Sequence, residues 1–166
     1  MKLRDYCKED AKEICKWIND EKSLRLWSAD RYKNFPITDV DINSNYDECI
    51  KNGNFYPKTL IDDCNNIIGH LILRNPNGNR EIVRLGFIIV DDSKRGKGYG
   101  RKLVDLAIEF AQKELNAKEI NLGVFSNNKS AYNCYESCCF RDISIEENAF
   151  RYYEENWDII EMKLIK

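Results

Sequence analysis

A chain of 166 residues with 43% hydrophobic and 33% charged side chains has an ordinary globular make-up, long enough to bury a core without metal or disulfide staples. Its formal net charge of -2 at pH 7 argues against the broad basic face of a general nucleic-acid or membrane-surface binder. Seven cysteines, an odd number with no Cys-x-x-Cys pair, and a start without an apolar signal-peptide core read as the thiols of a cytoplasmic protein. One histidine, His70, gives no metal-ligand spacing, and no run of about 18 apolar residues is present to span a membrane.

In chain order, residues 1–6 form a short opening strand, and Ala11, Ile14, Cys15 and Ile18 mark one face of a helix. Residues 21–52 carry a weaker pattern, broken at Pro36, and read as loop plus a short helix. Asp39, Asp41, Asp47 and Glu48 cluster there, either as a solvated face or as an acidic rim that collects a cationic substrate. Phe55 to Ile61 and Ile67 to Leu73 are β-rich runs joined by Asp62 to Asn66, a hairpin. A second turn at Asn75 to Asn79 leads into a third strand, Ile82 to Val90. A helix over residues 99–115 stops at Asn116, Glu119 to Phe125 returns as a strand parallel to its predecessor, and Asn127 or Asn128 caps a helix with Ala131, Cys134, Tyr135 and Cys138 on its apolar face. Phe140 to Ile145 and Trp157 to Ile165 close a mixed sheet of six or seven strands, separated by a polar segment containing Tyr152 and Tyr153. No linker or repeat divides the chain, so residues 1–166 read as one domain.

Between the third strand and its helix lies Lys94 to Lys102, KRGKGYGRK, with five basic residues and three glycines. Glycines let a backbone approach an anion closely, and a helix N-terminus supplies amides to bind it; the plain alternative is a solvated basic turn. The P-loop string is absent. The spacing of Gly96, Gly98 and Gly100 is GxGxG, and the next strand ends Leu122, Gly123, Val124, Phe125, Ser126 without an acid, which disfavours a dinucleotide-binding oxidoreductase.

Arg95, Gly98 and Gly100 match the Arg/Gln-x-x-Gly-x-Gly/Ala signature of the GCN5-related N-acetyltransferase (GNAT) family. Asn128, Ala131 and Tyr135 fall at that family's Asn-x-x-Ala-x-x-x-Tyr spacing, and Phe140 follows. The chain resembles that family over roughly residues 84–140 in motif and elsewhere in pattern. The resemblance implies an α+β, GNAT-type, mostly antiparallel sheet flanked by helices, and acetyl transfer from acetyl-CoA to a primary amine of a small molecule or protein by direct attack, without metal. It implies a pyrophosphate site on the backbone of Arg95, Gly96, Lys97, Gly98, Tyr99, Gly100 and Arg101. The pantetheine arm would pair with the edge of Ile88, Ile89 and Val90 and with Asn128, itself also a helix cap. Tyr135 would be the general acid, its alternative being a core tyrosine. Two positions depart from the pattern: Cys139 stands where glycine usually precedes Phe140, and Gly123 where ribosomal-protein acetyltransferases often carry a glutamate base. Glu81, His70 or a water path remain as bases. The partner is a small-molecule or peptide amine, cationic if the acidic rim collects it, with neither nucleic acid nor membrane expected, and a homodimer stays open. An inactive acyl-CoA-binding or sensing domain is the alternative function.

Overall fold

The computed structural model describes residues 1–165. Among them the order is β1 (Lys2–Asp5), α1 (Asp10–Lys16), α2 (Glu21–Ser28), α3 (Asp39–Ile50), β2 (Phe55–Ile61), β3 (Ile67–Arg74), β4 (Ile82–Val90), α4 (Tyr99–Lys113), β5 (Glu119–Phe125), α5 (Lys129–Ser137), β6 (Phe140–Tyr152) and β7 (Glu155–Leu164). The strands make one seven-stranded sheet, β1-β2-β3-β4-β5-β7-β6. Every neighbouring pair is antiparallel except β4 and β5, which the α4 crossover makes parallel.

Alternation along β3 explains how helices come to cover both faces. Leu71 and Leu73 pack with Leu103, Val104, Ala107 and Ala111 of α4, whereas Ile72 packs with Ala11, Ile14, Leu24 and Ile42 of the first three helices. His70 shares the second face and meets Tyr46 of α3, its Nε2 being 2.8 Å from the tyrosine hydroxyl. Asp10, buried at the start of α1, accepts hydrogen bonds from both guanidinium nitrogens of Arg4 at 2.7 Å and from the Thr59 hydroxyl at 2.7 Å. These bonds tie α1 to β1 and β2.

Residues 21–52 correct the expectation of a loop and one short helix, for two helices form there. Asp20 caps α2 by accepting from Ser23 N, and Thr38 with Asp41 makes a reciprocal capping box on α3. The buried positions of α3 are only Ile42 and Tyr46, one turn apart, too narrow a stripe to register as periodicity. The polar segment between the last two strands is also ladder: β6 runs on to Tyr152 and pairs with β7 through Phe150↔Trp157 and Tyr152↔Glu155. Its side chains are mostly exposed, so backbone pairing at a sheet edge, not burial, defines it.

Candidate active site

β4 and β5 pair only at Ile82–Arg84 against Glu119–Asn121. Beyond these residues each is held on its outer side alone, β4 by β3 and β5 by β7. Their inner edges part, and a cavity of about 720 Å³ opens between them, lined by Leu85 to Val90 on one wall and Leu122 to Phe125 on the other. Backbone N–H and C=O groups along both walls therefore lack ladder partners. The parting coincides with a bulge: register steps from Ile72↔Gly86 to His70↔Ile89, one extra residue in β4, and Phe87 takes φ 50°. A bulge bends a strand and re-aims its edge.

The glycine loop closes one end of this cavity. Gly96 and Gly98 have φ of 75° and 79°, and a Cβ on either would meet nothing within 4 Å; backbone conformation, not space, demands glycine there. At Gly100 a Cβ would lie 3.4 Å from Cys134 Sγ of α5, an ordinary contact that brings α4 and α5 close. Gly98 is the N-cap of α4, whose first turn holds no acid. Lys102 is the first residue after it whose amide finds a backbone carbonyl, Gly98 O at 3.0 Å. The amides before it are the unsatisfied donors of a helix start, at the positive end of its dipole. Arg95, Gly96, Gly98, Tyr99, Gly100 and Arg101 line the cavity and Lys97 does not. Arg95 is held by Asp92 at 2.5 Å.

Asn128 and Tyr135 lie on the same walls. Asn128 Oδ1 accepts from Ala131 N at 3.2 Å, so it is a helix cap whose amide nitrogen is left over. Tyr135 is 7% exposed, its ring edge-on to Phe140 at 6.4 Å. Burial, then the neighbouring Cys134 and Cys138, pushes its phenol above the ordinary value, which keeps the proton on at neutral pH.

The side chains considered as bases are elsewhere. His70 is fully buried between Tyr6 and Tyr46, and burial lowers its pKa to about 3. Glu81 is exposed and paired with Lys118. At Gly123 a Cβ would fall 2.5 Å from Arg84 Nη2 and 3.1 Å from Glu161 Oε1. The space a glutamate would need there is filled by Arg84, which donates to both carboxylate oxygens of Glu161 at 2.6 and 2.8 Å. The acidic rim is not on the walls either: Asp41 is spent in the capping box, Asp47 pairs with Lys8 at 2.6 Å, and Asp39 and Glu48 do not line the cavity. Among the described residues no Asp, Glu or His does.

Among the wall residues that the sequence reading did not place at the site are Trp27 on α2, Arg31 just after it, and Arg74 at the end of β3. The available signal was an arginine at each end of a β3–β4 hairpin, Arg74 and Arg84, which are register partners.

The Acetyltransferase (GNAT) family matches residues 11–140. The chain belongs to the GNAT acetyltransferase family. It is 33% identical over 145 residues to an uncharacterized N-acetyltransferase of Bacillus subtilis, YvbK, covering 87% of this chain and 83% of that one. It is 32% identical over 120 residues to a UPF0039 protein of Schizosaccharomyces pombe, covering 66% of this chain and 74% of that one. Its fold is that of the spermidine N-acetyltransferase from Vibrio cholerae solved with CoA and spermine, with TM-score 0.82 at 22% identity, over 98% of this chain and 93% of that one. As a GNAT enzyme this chain is an N-acetyltransferase with an amine as acceptor. No helix among the described residues is long and apolar enough to cross a membrane.

Proposed function

We propose that this N-acetyltransferase takes its acetyl group from acetyl-CoA and passes it to a primary amine by direct attack, with the reaction housed where β4 and β5 part. The observation that carries the reading is the continuity of one cavity from the glycine loop at α4, along the free edge of β4, to Tyr135. The donor's pyrophosphate would accept hydrogen bonds from the amides of residues 96–101, the Arg95 amide being bonded already to Asp92 O at 3.3 Å. Its pantetheine amides would add a strand to Ile88, Ile89 and Val90, with the Asn128 amide alongside. The amine nitrogen forms a bond to the acetyl carbon, the C–S bond breaks, and the departing thiolate takes a proton from the Tyr135 hydroxyl. A free amine is an ammonium ion in water, so the acceptor arrives cationic at its reacting end. With no carboxylate or imidazole on the walls, the ammonium's proton leaves through water, and the second proton that the nitrogen sheds on becoming an amide returns, also through water, to the Tyr135 phenolate.

Seven free cysteines suit a reducing compartment, which supports the cytoplasm as its place. The test is thiol release from acetyl-CoA across a panel of primary amines. Amine-dependent release is expected. Tight acetyl-CoA binding with no release from any amine would instead identify a binding or sensing module.

A further inference from the structure

Five arginines and no acid line the cavity among the described residues, and they fall into two groups. Arg95 and Arg101 flank the glycine loop. Arg31, Arg74 and Arg84 stand at the other end, where β4 and β5 begin to part. From Arg84 to Val90 is six residues of strand, roughly 20 Å at about 3.3 Å each. One set of phosphates therefore does not serve both groups.

The inner three sit on the acceptor side. Strand alternation puts Arg74 with Ile72, and Arg84 with Gly86, on the face covered by α1, α2 and α3. Arg84 is committed to Glu161 and to Asn121 Oδ1 at 3.2 Å. Arg31 lies over the Phe87 ring, 6.0 Å from its centroid, and neither its guanidinium nor that of Arg74 has an ion pair or hydrogen bond among the described residues. Burial, then the charges of Arg84 and Arg31, lower the pKa of Arg74. Arg74 and Arg84 are also cross-strand register partners, so like charges stand opposite each other there, with Glu161 paired to Arg84. On the same wall the Trp27 indole N–H is buried without a partner, although buried donors are nearly always paired. Arg31 and Arg74 are solvent-exposed, so their unpaired forks are free to donate two parallel bonds each to an arriving carboxylate, which the orphan indole N–H would join.

We infer that Arg31 and Arg74 form a carboxylate subsite, so that the acceptor is an amino acid or another small primary amine bearing a carboxylate, not a polyamine. This rests on the acetyl-transfer reading above and narrows it. The ammonium end meets the acetyl group and the carboxylate end turns to the two arginines, with Trp27 N–H as a further donor.

The experiment uses the whole chain and a panel of common amino acids, each paired with the amine left by removing its carboxyl group, with spermidine as the polyamine. For at least one pair, kcat/KM is expected to be about tenfold or more higher for the carboxylate-bearing member. Arg74→Gln and Arg31→Gln should each lower that preference about tenfold through KM, while calorimetric acetyl-CoA affinity stays at the wild-type value. Arg74→Lys, which keeps the charge and loses the fork, should fall between, and serves if the glutamine variant does not fold. Equal or better use of spermidine or of the decarboxylated amines overturns the subsite and leaves acetyl transfer standing. If no amine releases thiol, acetyl transfer itself fails, and calorimetry on the acetyl-CoA-saturated chain still decides the subsite. Amino-acid binding that Arg74→Gln abolishes supports it, and no binding overturns it.

Discussion

Tyr135→Phe removes one oxygen and separates a proton donor from a core tyrosine. The ring is 7% exposed and packs against Phe140, and phenylalanine keeps that contact. The hydroxyl has no protein partner among the described residues, so its loss leaves no buried group newly unpaired. Thermal stability should consequently shift by no more than about 1 kcal/mol, in either direction. Turnover should behave otherwise. A positioned acid is worth about 10²- to 10⁴-fold, or roughly 3 to 5 kcal/mol of barrier at about 1.36 kcal/mol per decade. Because burial holds the phenol above its ordinary value, the proton stays available throughout the neutral and mildly alkaline range in wild type. The assay is thiol release at saturating acetyl-CoA, with calorimetric donor affinity and melting temperature measured on the same preparation. Lower kcat with donor affinity and melting temperature near wild type is the pattern of an interaction made in the transition state. Wild-type kcat in the variant, or a lowered melting temperature with full turnover by the folded fraction, refutes the role.

Gly98→Val puts a β-branched residue at φ 79°, which costs on the order of 1–3 kcal/mol of backbone strain or collapses the turn. Acetyl-CoA affinity by calorimetry should drop at least tenfold, and an unchanged affinity in a folded variant contradicts the phosphate role. His70 makes stability depend on acid. Its folded pKa of about 3 lies below the ordinary 6.5, so the unfolded chain takes up the proton first. The stabilisation is whole above about pH 6.5 and is lost as pH falls toward about 3, amounting to on the order of 5 kcal/mol at most. Urea midpoints across that window should be flatter for His70→Gln than for wild type, and an equal slope in both would show that His70 does not titrate as its burial requires.

What could be read from residues alone follows the range over which each feature is determined. Gly96, Gly98 and the Asn128 cap are local devices: a left-handed φ or a side chain reaching three residues along is written into a few neighbouring positions. The parallel pairing of β4 and β5 was legible in the strand–helix–strand passage, whereas their parting, which goes with the bulge in β4, was not. Residues 21–52 resisted because α2 is only eight residues long and α3 buries only Ile42 and Tyr46, so caps and packing against Ile72 and Ile89 define them. Cys139 shows why a local departure need not alter a fold. Its φ of 68° is the left-handed conformation that suits glycine there, and an exposed cysteine adopts it at the cost of strain.

The base question shows where local reading ends. Gly123 draws notice as a missing carboxylate, yet its register partner across the sheet is Glu161, about forty positions later in sequence. A carboxylate therefore does stand beside that position, supplied by β7 instead of β5, and the absent Cβ is what admits the Arg84 guanidinium between them. Held by two charge-assisted hydrogen bonds, Glu161 anchors Arg84. With Arg84 neutralised by that pair, the net positive charge at the inner end of the cavity rests on Arg31 and Arg74. The strand position that would carry a base in some relatives here makes room for Arg84, an arrangement that depends on β4, β5 and β7 being neighbours.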